Sequence, residues 1–126
     1  MIKDYYSSLL GIIARARSVR LYELQLDERE PDAGFIRGDI YFADGSRLHV
    51  REFVNTEFGI ERVSYAYHYQ SEDGALVFRY DDTAHFPDLS TFPHHKHVNR
   101  EENVIAAAPP DLASVIAEIE ARIPIP

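Results

Sequence analysis

The sequence predicts an α+β protein: an antiparallel meander of about five to six strands, with an N-terminal and a C-terminal helix packed on one face. Three observations carry this. Apolar residues recur at three- and four-residue spacing only near the two ends of the chain. Between residues 18 and 81 the period changes to two. Short turn sequences separate the alternating runs, and connections that short join antiparallel neighbours and exclude parallel crossovers. The 126 residues are 45% hydrophobic and 27% charged, so the chain reads as one domain over 1–126 with its own core.

Ile2, Tyr5, Tyr6, Leu9, Leu10, Ile13 and Ala16 lie on one stripe, so residues 2–16 read as an amphipathic helix. Arg15 and Arg17 near its end suit the negative pole of the helix dipole. Strand-like runs follow at 18–28, 34–42, 47–54, 61–70 and 75–81. Between them stand Pro31-Asp32-Ala33-Gly34, Asp44-Gly45, Phe58-Gly59 and Glu72-Asp73-Gly74.

Register is constrained at two hairpins. Ile40 and Phe42 share a face with Leu48 and Val50 only if the loop is Ala43-Asp44-Gly45, with Gly45 at positive φ. A two-residue loop would bring Arg47 and His49 onto the apolar face instead. In the last hairpin, a two- or four-residue turn sets Leu76, Phe78 and Tyr80 beside Val63, Tyr65, Tyr67 and Tyr69. The same register gathers His68, Arg79 and Asp81 on the opposite, polar face.

Residues 82–100 contain Pro87 and Pro93 and read as a long loop, after which Val104 to Ala107 suggests a short sixth strand. Pro110 fits a first helical position, with Asp111 beside it. Leu112, Val115, Ile116, Ile119 and Ile123 then follow the helical period, so a helix spans 110–122 and Pro124 ends it.

Composition removes several chemistries. No cysteine is present, which excludes disulfides, thiolate metal sites and cysteine nucleophiles. The longest apolar runs, such as Val104 to Ala108, are far too short to cross a membrane as a helix, and a cytoplasmic location is expected. The net charge of −8 argues against broad nucleic-acid affinity, which comes from phosphate neutralisation. That charge is uneven: residues 1–22 carry +3, residues 23–61 carry −6 and residues 101–126 carry −4. The basic side chains of the less acidic segments leave room for a local phosphate-facing site.

The unusual stretch is Thr91-Phe92-Pro93-His94-His95-Lys96-His97. If it is extended, His95 and His97 point to one side and His94 to the other. Three readings stand together. Histidines of this group act as acid and base on a phosphodiester, with catalytic candidates His68, Arg79, Asp81, His95 and His97. Arg62, Lys96, His94 and His85 are then the binding candidates. In the second reading, His85, His95 and His97 hold a divalent metal, with Asp81, Asp82 or Asp88 as a carboxylate alternative. The third makes the stretch a structural or partner-docking loop of a non-catalytic protein-binding module. No cofactor is expected, nor a stoichiometric metal in protein purified without added metal.

Tyr67-His68-Tyr69-Gln70, Phe78-Arg79-Tyr80-Asp81 and Phe92-Pro93-His94-His95-Lys96-His97-Val98 resemble the TumE-type proteins, small bacterial toxin components of toxin–antitoxin pairs. Pro110-Asp111-Leu112 and the hairpin from Gly34 to Gly45 fit as well. Ala106 to Ala108 stand where such proteins carry a helix-capping serine. The resemblance implies a toxin with a cognate DNA-binding antitoxin as protein partner; RNA as a target rests on the histidine and arginine surface alone, and the acidic composition does not favour it. The resemblance supplies no catalytic residues, and it leaves self-association into a homo-oligomer open.

Overall fold

The computed structural model describes residues 1–124. Helix α1 (Ile2–Arg15) is followed by β1 (Val19–Glu30), β2 (Ala33–Phe42), β3 (Arg47–Asn55), β4 (Glu61–Gln70), β5 (Leu76–Asp81), β6 (His95–Val98), β7 (Arg100–Ala106) and α2 (Leu112–Glu120). The seven strands form one sheet in sequence order, every neighbouring pair antiparallel. The α+β meander is therefore as the sequence predicts, but with seven strands in place of five or six. The histidine stretch is not part of a loop but strand β6, and β7 starts at Arg100 rather than Val104.

Both helices cover one face. Leu9 and Ile13 of α1 and Leu112, Val115, Ile116 and Ile119 of α2 pack in a single core with Ile36, Ile40, Leu48, Val50, Tyr65, Tyr67, Tyr69 and Phe78. Leu76, expected among them, is only half-buried.

The first tested hairpin has the three-residue loop. Phe42 N–H donates to the Ser46 carbonyl at 2.9 Å, and Gly45 sits at φ 86°, where a side chain would be strained. The last hairpin reaches its predicted register by another route. Ser71 N–H donates to Ala75 across the three-residue turn Glu72-Asp73-Gly74, and a bulge between Tyr69 and Gln70 restores the parity. Tyr69 thus faces Phe78, and His68 faces Arg79.

At α2 the helix begins later than expected. Asp111 is the N-cap rather than a first-turn residue: its side chain accepts from Ser114 N–H, and Ser114 Oγ accepts from Asp111 N–H. Pro110 lies before the cap.

Candidate functional site

Alternation puts the odd positions of β2, β3, β5 and β6 and the even positions of β4 on the face the helices leave open. Register then aligns them in rows. One row runs Asp39, His49, His68, Arg79, His97 across five strands. The next runs Arg37, Arg51, Ala66, Asp81, His95. Directly opposed residues hold their Cβ atoms about 5 Å apart, so each row is a line of neighbours. A groove over this surface is lined by Arg47, His49, Arg51, His68, Arg79 and Asp81, with His85 also at its wall.

Asp81 is the hub at one end of the groove. Its Oδ1 accepts from Thr83 N–H at 3.1 Å and Thr83 Oγ1 at 2.7 Å, and its Oδ2 accepts from Arg79 Nε at 2.9 Å. Burial alone would raise this carboxyl. The Thr83 and Arg79 hydrogen bonds outweigh that and hold it below the usual carboxylate range. Arg79 also donates from Nη1 to Glu101 at 2.7 Å and from Nη2 to His97 Nε2 at 3.0 Å.

His95 and His97 are buried at 0% and 4% exposure, unusual for a residue type normally half-wet. The Phe86 ring packs edge-on against both, with centroids 4.8 and 6.0 Å away. His95 Nδ1 lies 2.9 Å from the Pro93 carbonyl and His97 Nδ1 2.7 Å from the Glu101 carbonyl. A carbonyl only accepts, so in each ring Nδ1 carries the proton.

His68 sits between His49 and Arg79. Burial first, and the Arg79 charge second, push its imidazole below the ordinary range and favour the neutral ring. Asp39 Oδ1 lies 3.0 Å from His49 Nδ1 and fixes that ring.

Of the sequence-derived candidates, the structure brings His68, Arg79, Asp81, His95 and His97 onto this face. His85 is exposed at the groove wall. The remaining three lie on the helix side. Lys96 Nζ donates to Glu118 at 2.7 Å and sits over the Phe78 and Tyr80 rings. His94 stacks on Tyr65 and meets its hydroxyl at 3.0 Å. Arg62 donates to Tyr67 Oη at 2.8 Å and to the Pro110 carbonyl.

Arg47, His49 and Arg51 join the groove without having been singled out. Their signal was the parity of β3: once Leu48 and Val50 face the core, these three face away. The helix side holds a further surprise in Glu52, fully buried, which accepts from Tyr67 Oη at 2.6 Å and from Tyr5 Oη.

No helix among the described residues is long and apolar enough to cross a membrane. Residues 9–123 match the sequence model of the family described as Toxin TumE, which spans almost the whole chain. No curated protein and no solved structure matches it.

Proposed function

The chain belongs to the TumE toxin family, and we propose that its toxicity comes from cutting RNA in the open-face groove. The observation that carries this is the juxtaposition of His49, His68 and Arg79 in one register row beside Arg51. A neutral His68 takes the proton from a ribose 2′-hydroxyl as that oxygen bonds to phosphorus. Arg51 and Arg79 neutralise the charge that builds on the phosphoryl oxygens. The bond from phosphorus to the 5′-oxygen breaks, and His49, held by Asp39, returns a proton to the leaving oxygen. Asp81 positions Arg79, and the buried His95 and His97 fix that pair against β6.

The charge of the whole chain does not oppose this reading. The groove wall carries Arg47, Arg51 and Arg79 against Asp81 and Asp82, so the local balance is basic on a chain of net −8. The toxin family implies an antitoxin, and we assign that partner to the DNA-binding class, with the bacterial cytoplasm as the site of action.

Purified full-length protein incubated with RNA tests the reading. Cleavage should leave 2′,3′-cyclic phosphate ends and should fall at least about 100-fold in His68→Ala, the scale of a lost general base. Growth arrest on expression of the chain alone should vanish with the same variant. Arrest without RNA cleavage, and undiminished in His68→Ala, would instead make the protein a non-catalytic binding module.

A further inference from the structure

The chemistry at the end of the groove is incomplete as it stands. His95 Nε2 is buried without a hydrogen-bond partner, although it lies 2.9 Å from Asp81 Oδ1. In a neutral ring with its one proton on Nδ1, Nε2 turns a lone pair toward that carboxylate oxygen. His97 Nε2 lies 3.5 Å from Asp81 Oδ2, with its Nδ1 likewise on a carbonyl, and it accepts from Arg79 Nη2 at 3.0 Å. Two imidazole nitrogens and one carboxylate converge, all three ligand atoms within 4.8 Å of one another.

We propose that Asp81, His95 and His97 form a binding site for one divalent transition-metal ion, of the zinc type. Ligand atoms about 2.1 Å from zinc lie roughly 3.4 Å apart in a tetrahedron, and His95 Nε2 and His97 Nε2 stand 2.9 and 3.5 Å from the two Asp81 oxygens. The outer shell is already in place. Metal-bound imidazoles characteristically anchor the other ring N–H on a carbonyl or carboxylate, and both rings do so here, on Pro93 and Glu101. Thr83 holds the carboxylate from behind, and Phe86 keeps bulk water off the rings. The two-nitrogen, one-oxygen donor set suits zinc and its neighbours and disfavours magnesium, which prefers oxygen ligands alone.

Arg79 is the competitor. Its guanidinium supplies the positive charge that His97 Nε2 and Asp81 Oδ2 otherwise lack. An incoming ion displaces it from both, and Glu101 is the anchor to which it retains a bond. Of the two sets the sequence offers, this is the carboxylate alternative with Asp81 and not the His85, His95 and His97 set, because Asp81 is the cross-strand partner of His95 whereas His85 is exposed. The site does not depend on what the groove acts on.

The test titrates zinc chloride into chelator-treated full-length protein by calorimetry, with a thermal melt in parallel. Wild type should take up one zinc per chain and gain about 5 °C or more in Tm, because an ion that binds only the folded state stabilises it. Magnesium should do neither. His97→Gln should weaken zinc at least about 100-fold, and His85→Ala should bind as wild type. Arg79→Met should bind zinc more tightly than wild type, because it removes a like charge and frees two ligand atoms. Failure of wild type to bind one equivalent overturns the site, as does loss of binding in His85→Ala or weaker binding in Arg79→Met. If His97→Gln does not fold, the wild-type and Arg79→Met titrations decide.

Discussion

Glu52 and Asp81 are both buried carboxylates on the central strands, at 0% and 4% exposure, and they lie on opposite faces of the sheet. Glu52 points under the helices, where Tyr5 and Tyr67 donate their hydroxyls to it and Arg62 reaches the Tyr67 oxygen. Each buried donor there has an acceptor. Asp81 points to the open face, where Arg79 and Thr83 serve it well but His95 Nε2 confronts it without a bond. A buried polar group that is fully satisfied serves the fold, since leaving it unmet costs about 1–3 kcal/mol. A buried group left unmet in an otherwise well-ordered cluster is better explained by a visitor. The two faces thus divide the work between stability and chemistry.

The largest expected effect lies on the covered face. Ile116 is buried in the core under α2, so Ile116→Ala should cost roughly 2–5 kcal/mol in urea unfolding. A cost under about 0.5 kcal/mol would detach that helix from the core and remove the basis of the comparison. Glu52→Gln comes next. It retains one carbonyl acceptor for two phenols, and one orphaned hydroxyl should cost about 1–3 kcal/mol. A neutral result would mean that the network is not what closes this face.

The same network predicts an alkaline limit. Burial first, and the Glu52 charge second, push the Tyr67 phenol well above its ordinary value of 10.0, and the same two causes raise Tyr5. The folded pKa is thus above the unfolded one, so the stabilisation is complete below pH 10 and is lost as pH rises beyond it. For Tyr67 the loss should approach about 1.4 kcal/mol per pH unit. Urea midpoints at pH 9 and pH 11 measure it, and Tyr67→Phe should flatten the dependence. An unchanged midpoint in wild type would show that the phenols ionise freely in the folded protein.

The two faces were not equally legible. On the covered face the buried positions are mostly apolar, and a period of two in Ile40, Phe42, Leu48 and Val50 fixes both strand and register. Strand β6 alternates just as strictly, with His95 and His97 buried and Lys96 and Val98 on the other side. Its buried members are imidazoles, however, so hydropathy sees only a polar stretch between prolines. Glu52 was hidden for the converse reason. One acid among Leu48, Val50 and Val54 looks like a break in the pattern until Tyr5, 47 residues earlier, is seen to answer it. Segment charge misled too. Arg47 and Arg51 come from the most acidic stretch of the chain, yet strand parity collects them in the groove while Glu52, between the strand's apolar residues, goes to the covered face.

The smallest effect on stability should come from the open face, and there it isolates function. His68 is half-exposed, and no hydrogen bond among the described residues engages its ring. His68→Ala should therefore shift stability by less than about 1 kcal/mol, within the range of substitutions that break no buried partner. Glu28 and Glu30, exposed at the far end of β1, should be as inert when replaced and should leave growth arrest intact. A His95→Ala, His97→Ala double variant cannot make this separation, because both rings are buried and their loss perturbs packing as well as chemistry. Growth arrest abolished in a His68→Ala protein of wild-type urea midpoint places the toxic chemistry on the open face. Arrest that survives with the fold unchanged removes His68 from it, and the division between the faces then needs another explanation.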